Sequence, residues 1–528
     1  MLSGPGRARQ KWGLPGRSAS CTGAEVERSI AQGPSPNARD PGLADARPGT
    51  GLTIVTGLAI ALLLFGIYLV SNPDRTSYYN HFVWQAEAFL DGRAAIRYPV
   101  PPGRSGPGND QFQDVVPAIG PHGEATGYAL VPFPPLPAVL LMPLVAIWGL
   151  TTDAQLVATI IGTLDVAIAF WVLGLLPIRP RVRVATTLFL GLGTVLWYAA
   201  ELGTTWFLAH VVAVGFSLLA IGLALEADPR SARDDDGAAD ADRAADADHE
   251  ASGDPTGDAA RDPTRAYGSS DDGARAAARW GASLIDGRQF LAGVLFGLAC
   301  TARLTVAFGA PFFVLVGGGG GIVRRGTSAA IGMALPIGAL LLYTLVTTGH
   351  LLHPGYELLY RAEAIGYPDL GYRPDWAIED PRYLVQHLPF ALAGLPSIFP
   401  PCDPGAVRGL FNATCPSAVP RDIGMGLFVT SPAWLLALPA VRRWGRNRLV
   451  AGSLMAIVAI AVVDLMHFSQ GWVQFGYRFS NDYAPFAIVL VALTLEAAGR
   501  LRWIGYLLIA ASIAVNAWGV LWGHVLGW

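Results

Sequence analysis

Ten stretches of this chain run almost without charge: residues 52–71, 155–176, 184–200, 207–226, 289–322, 327–348, 424–441, 449–467, 484–499 and 503–521. Most reach the ~20 residues that a helix needs to cross ~30 Å of hydrocarbon. A soluble chain of 528 residues needs far more than 15% charged residues to cover its surface. The expected fold is therefore an all-α polytopic membrane protein of about eleven transmembrane helices, with a long first outer loop carrying surface helices. Residues 1–50 are rich in Gly, Pro and Arg and read as a disordered cytoplasmic tail. Thr53 to Val70 would act as an uncleaved signal anchor. Seven basic residues before it, from Arg7 to Arg47, place the N-terminus in the cytoplasm.

Two apolar stretches are ambiguous. Residues 129–149 carry five prolines, and 289–322 is too long for one crossing, with Arg303 near its middle. If 129–149 dips into the outer leaflet and 289–322 crosses twice, Arg303 falls at an outer turn. The clusters at Arg179–Arg183, Arg324–Arg325, Arg442–Arg448 and Arg500–Arg502 then all lie inside. If instead 129–149 spans and 289–322 crosses once, the Arg179 cluster falls outside. The first arrangement is preferred, and Pro132, Pro134, Pro135 and Pro137 favour it by removing backbone donors. It leaves outer segments at 72–154, 201–206, 349–423 and 468–483. Residues 228–280 hold fourteen acidic and seven basic residues and read as an acidic, disordered cytoplasmic insertion. Cys402 and Cys415 share an outer segment, where they either bridge or stay as two thiols.

Ionisable residues at a membrane boundary need a reason. Asp74 lies just past the first crossing. From Tyr78 to Leu90, Phe82, Ala86, Phe89 and Leu90 form an apolar stripe, with Asn80, His81, Gln85 and Glu87 elsewhere, which suits a helix lying on the membrane surface. Glu201 and His210 fall at or near the outer face after the third crossing. Arg303 follows, and late in the chain come Arg478 and Asp482. Such residues suit chemistry on a phosphate-linked lipid. An arginine holds the phosphate, and a carboxylate or histidine takes a proton from an attacking hydroxyl. Plainer readings stand beside these. Asp74 and Arg75 mark the end of a span, Glu201 is a solvated loop residue, and Arg303 pairs within the bundle. Trp206, Phe207 and Trp472 are interfacial aromatics.

The order of parts resembles the GT-C superfamily of membrane glycosyltransferases, and most closely the branch with protein O-mannosyltransferases and the lipid A aminoarabinose transferase. The matching features begin with one crossing and a long outer loop with an A-x5-G spacing, Ala86 to Gly92. They continue with FPPLPAVLLMPLVAIWG, then GVLFGLACTARLTVAFGAPF, then YRFSNDYAPF. The resemblance implies a GT-C-like domain over 51–500, followed by a C-terminal transmembrane helix in 501–528. It implies transfer of a sugar from a polyprenyl-phosphate donor to a glycan, lipid or protein acceptor on the outer face of the plasma membrane. Glu201 matches the family's second essential acid. The first-loop acid pair falls by spacing at Tyr78 and Tyr79, so the nearest acid is Asp74 and the nearest alternative base is His81. Arg303 matches the basic position for the lipid phosphate. Arg478, Tyr78, Asn80 and Asp482 complete the expected substrate contacts.

Two other readings compete: a transporter or flippase of polyprenyl-linked sugars, and a catalytically inactive protein of GT-C shape. Transporters place ionisable groups near the bilayer midplane and show internal repeats. No convincing repeat is seen, and the polar residues favour the outer loops. No cofactor is implied, no His/Asp/Glu cluster has metal-binding spacing, and no nucleic-acid partner is expected.

Overall fold

A computed structural model describes residues 50–73, 79–100, 114–227, 285–355, 357, 373, 375–403, 405–471 and 473–527. The tail before Thr50, the acidic insertion 228–280, Asp74 and Tyr78 lie outside the described residues. The chain divides into two units between Val55 and Thr56. Of the first, only the opening of one helix is described, and the second holds every other element.

The apolar runs form helices, because a chain without water partners closes its backbone hydrogen bonds on itself. In order they are α1 Thr50–Ser71, α2 His81–Leu90, α3 Leu136–Trp148, α4 Ala154–Gly174, α5 Pro180–Leu192, α6 Leu196–Leu202, α7 Thr205–Ala227 and α8 Gly287–Cys300. Then come α9 Ile322–Thr348, α10 Pro381–Ala393, α11 Arg448–Met466, α12 Ser480–Ala497 and α13 Arg502–Val525. α7 is buried almost all round and packs on α4, α8 and α12. By contrast Leu58, Leu62 and Leu63 of α1, Leu335, Leu342 and Val346 of α9, and Trp503 and Leu507 of α13 stand exposed. Apolar surface of that extent suits lipid, not water.

Six described helices are long and apolar enough to cross a membrane: Thr53–Ser71, Ala154–Gly174, Thr205–Ala227, Ile322–Thr348, Arg448–Met466 and Gly499–Val525. α5 and α6, bent by 49°, make a seventh if they form one span. This is fewer than the eleven crossings expected, because the other apolar runs form shorter pieces. Of 424–441 only Leu427–Thr430 is α-helical, followed by a 3₁₀ run Pro432–Arg443. The 129–149 stretch, not expected to cross, keeps 13 helical residues as α3, with Pro143 inside it. The 289–322 run is a hairpin. α8 ends at Cys300, Arg303 is extended (φ −142°, ψ 110°), and a 3₁₀ turn Leu304–Gly309 leads into Pro311–Leu315. The two arms flank Arg303 as expected, but each is shorter than a crossing.

Two small antiparallel sheets lie among the connections. Ile96–Arg97 (β1), Val116–Ile119 (β2) and Ala125–Leu130 (β3) pair in the order β1-β3-β2, with Ile96 opposite Ala129 and Val116 opposite Leu130. Ser397–Ile398 (β4) pairs with Ala418–Val419 (β5), and Cys402 and Cys415 are joined by a disulfide within that hairpin.

The stretch expected to lie on the membrane surface is helical as α2, but it is packed into the protein. His81, Phe82, Val83, Trp84, Gln85, Ala86 and Ala88 are all buried. The polar side chains are covered because they have internal partners: Gln85 donates to the Tyr343 hydroxyl on α9 at 3.3 Å, and His81 bonds Thr205.

Candidate functional site

The site is organised by the turn between α6 and α7. Gly203 caps α6 in the left-handed region (φ 58°), where a side chain would also strike the backbone of Gln155 at 2.6 Å. Glycine therefore lets α7 start close against α4, with Glu201 on one side of the turn and Thr205, Trp206, Phe207 and His210 on the other.

His210 lies within hydrogen-bond distance of Asp482, Nδ1 to Oδ1 at 2.7 Å. Asp482 stands in the first turn of α12, where the helix dipole favours a negative charge. Its Oδ2 accepts from Arg303 Nη2 at 2.8 Å, from Arg303 Nε at 3.2 Å and from the Thr305 hydroxyl at 2.6 Å. One fully buried carboxylate thus gathers an imidazole from α7 and a guanidinium and a hydroxyl from the 303–305 turn, while the Arg303 side chain keeps 20% exposure. Arg303 and Arg478 both lie over the ring of Phe479, at 5.2 and 5.4 Å, and Arg478 also lies 5.4 Å from Phe207. Asp464, near the end of α11, is buried within electrostatic reach of Asp482 and Arg303. Thr305 borders both carboxylates, but its one hydroxyl hydrogen is committed to Asp482, and neither Asp464 oxygen has a hydrogen-bond partner.

Beside this cluster, next in sequence to Arg303, Leu304 lines a small apolar cavity of about 30 Å³. Its other walls are Pro132–Pro134, Leu340, Tyr343 and Thr344 of α9, and Leu351–His353. Burial pushes the His353 imidazole down to about 4, so this wall is neutral near pH 7.

Glu201 is buried at the end of α6. The side chain of Asn72, just past α1, donates to its carbonyl at 3.0 Å, and its Oε2 has no hydrogen-bond partner. Tyr198, one turn earlier, packs on Phe207 at 5.4 Å, the same ring that Arg478 lies over. Asn80 and His81 start α2, and the Asn80 carbonyl accepts from Val83 and Trp84. The Thr205 hydroxyl donates to the Tyr79 carbonyl at 2.7 Å, so His81 Nδ1, 2.8 Å away, must donate to that hydroxyl. His81 is closed in by Tyr79, Trp84, Phe133 and Trp206. Among the described residues, no group of three or more His, Cys, Asp or Glu is arranged to hold a metal ion.

The structure thus brings together Arg303, Asp482 and Arg478, sets Glu201 beside them, and places Asn80 and His81 across α7's first turn. Asp74 and Tyr78 lie outside the described residues. Sequence reasoning passed over the pairing of His210 with Asp482, the part of Thr305, and Asp464. A carboxylate inside an apolar run (VVDLMH) was a signal for the last.

These features define a mostly helical protein with several apolar helices able to span a membrane and a buried charged cluster where α7, α12 and the α8 hairpin meet. No protein-family model, curated protein or solved structure matches the chain.

Proposed function

We propose that this protein is a membrane glycosyltransferase that moves a sugar from a polyprenyl-phosphate donor to a hydroxyl of a glycan, lipid or protein acceptor on the outer face of the plasma membrane. The observation that carries the proposal is the approach of Arg303 and Arg478 to one ring, Phe479, beside an apolar cavity that begins at Leu304. Two guanidiniums next to an apolar recess suit a phosphate esterified to a hydrocarbon chain. Asp482, held by His210 and Thr305, orients Arg303 and leaves part of its surface open.

In the proposed reaction the acceptor oxygen bonds to C1 of the sugar from the face opposite the phosphate. The C1–O bond to phosphate breaks, and polyprenyl phosphate leaves with the electron pair. The hydroxyl proton passes to a carboxylate, Glu201 or Asp74. His81 is the competing base, with its Nδ1 engaged by the Thr205 hydroxyl. The accompanying topology has about eleven crossings with the N-terminus inside. In it the two arms of the α8 hairpin, α12, the bent α5–α6 pair and residues 424–441 are embedded in the membrane along with the six long helices.

The test is purified protein with labelled polyprenyl-phosphate sugars and detection of transferred sugar. Glu201→Gln or Asp74→Asn should lower transfer by about 10²–10⁴-fold while donor still binds. Arg303→Ala should weaken donor binding. Full transfer in the Asp74, Glu201 and His81 variants alike would remove this site.

A transport reading has one observation in its favour. Asp165 lies mid-way along α4, is buried, and its Oδ2 has no hydrogen-bond partner. An intramembrane carboxylate of this kind is expected of transporters. Movement of a polyprenyl-linked sugar across proteoliposomes, abolished in Asp165→Asn, with no sugar transfer in any assay would decide for it.

A further inference from the structure

We infer that Tyr79, Trp206 and Asp114 form a subsite for a sugar ring, with an aromatic face of the pair stacking on the ring and the carboxylate accepting from its hydroxyl groups. The subsite deepens the glycosyl-transfer reading, on which it rests for the identity of the sugar's carrier.

Three observations carry it. First, these side chains meet in one place: the Tyr79 and Trp206 rings pack edge to face at 4.9 Å, and Trp206 Nε1 donates to Asp114 Oδ2 at 3.0 Å. All three residues stay partly exposed, while the residues behind them, His81 and Phe133, are buried. Second, the platform is rigid. Thr205 ties Tyr79 to α7 twice, by its hydroxyl at 2.7 Å and by its backbone N–H at 3.1 Å. Asp114 adopts the left-handed region (φ 59°), which aspartate tolerates better than most side chains. Third, the subsite shares α7 with the charged cluster. Trp206 and His210 are one helical turn apart on α7, about 5–6 Å between Cβ atoms. His210 bonds Asp482, which bonds Arg303. The aromatic pair and the Arg303–Asp482 pair are thus both anchored on the first turns of α7. Aromatic rings offer an apolar face to sugar C–H groups, and a carboxylate accepts several hydroxyl hydrogen bonds at once.

The test uses two probes on the full-length purified protein: farnesyl phosphate with and without a neutral hexose, and a free methyl hexoside. Asp114→Asn is the first variant. Asparagine tolerates the left-handed backbone and keeps an acceptor for the Trp206 indole, so the fold is retained. Trp206→Phe is the second, with its melting temperature checked. The hexose should tighten farnesyl phosphate binding in the wild type, and each variant should reduce that increment about tenfold while leaving bare farnesyl phosphate binding unchanged. Saturation-transfer signals of the methyl hexoside should fall in parallel. An unchanged hexose increment in Asp114→Asn and Trp206→Phe overturns the subsite and leaves the phosphate site standing. A methyl hexoside signal that disappears in both variants, with no binding of farnesyl phosphate, supports the subsite and refutes the lipid-phosphate reading. No signal from either sugar probe in the wild type overturns the subsite outright.

Discussion

Asp482 carries more of the site than any other side chain. It is fully buried, and Arg303, His210 and Thr305 all direct donors at it. Replacing it with asparagine keeps the shape and removes the negative charge, so Arg303 loses its counter-charge and His210 a charged hydrogen-bond acceptor. Breaking a buried pair from one side costs about 3 kcal/mol, towards the lower end here because Arg303 is partly exposed. Asp482→Asn should therefore melt well below the wild type in detergent, and Arg303→Met with Asp482→Leu should recover most of the loss. An unchanged melting temperature in Asp482→Asn would show that the pair does not hold the α8 hairpin to α12. The need for an anionic partner was legible from Arg303's position in an apolar run. The partner itself was not, because Asp482 lies 179 residues away and only packing joins them.

At the scale of elements, α8 and α9 approach so closely that side chains would separate them. A Cβ on Gly293 would run into the Ala329 carbonyl oxygen and one on Gly332 into that of Phe290. On Gly297 it would lie 2.7 Å from the Met333 carbonyl oxygen. Gly293 and Gly297 are four apart on one face of α8, the spacing by which small residues bring membrane helices together. Gly293→Leu or Gly332→Leu should lower thermal stability and, because Arg303 follows directly on α8, weaken donor binding as well. A variant with wild-type melting and wild-type binding would show that this close approach is not what positions Arg303.

α10 supports a second prediction at this scale. His387 is buried, its ring stacks on Tyr383 at 5.4 Å, and Gln470 reaches its Nδ1 at 3.0 Å. Burial lowers its pKa from the usual 6.5 to about 4, with His467 adding to the effect and the Leu465 carbonyl opposing it. Between those values the unfolded chain binds a proton that the folded chain refuses. The stabilisation is complete above pH 6.5, shrinks as pH falls, and is gone once pH drops through about 4. His353 shares the window for the same reason. Melting curves from pH 7.5 down to 4.5 should steepen in the wild type and flatten in His387→Gln. Equal slopes would assign the acid sensitivity to other groups.

For the whole molecule, the exposed leucines of α1, α9 and α13 and the near-complete burial of α7 describe helices that present apolar faces outward among the described residues. The proposed topology predicts single-cysteine accessibility in intact cells. Probes near Arg181, Asp246 and Arg446 should be shielded from an impermeant thiol reagent, and one near Asp375 or Gly108 should react. Labelling at Asp246 would place the acidic insertion outside and reverse the proposed orientation. The Cys402–Cys415 bridge, left open by sequence, is formed in the structure and should appear in non-reducing peptide maps.

The amino-acid sequence by itself determined that this chain is mostly helical with runs able to span a membrane, because the length and apolarity needed to cross hydrocarbon are local properties of a run of residues. It also marked Arg303, Glu201 and Asp482 as charges out of place, since an ionisable group near lipid stands out without any knowledge of its neighbours. Tertiary structure decided where the apolar runs break and which face of α2 is covered. It also joined Asp482 to His210 and Arg303, and Asp114 to Trp206 across 92 positions. Those pairings depend on which helices pack together, and helix packing is set by surfaces assembled from distant segments, which no local pattern encodes.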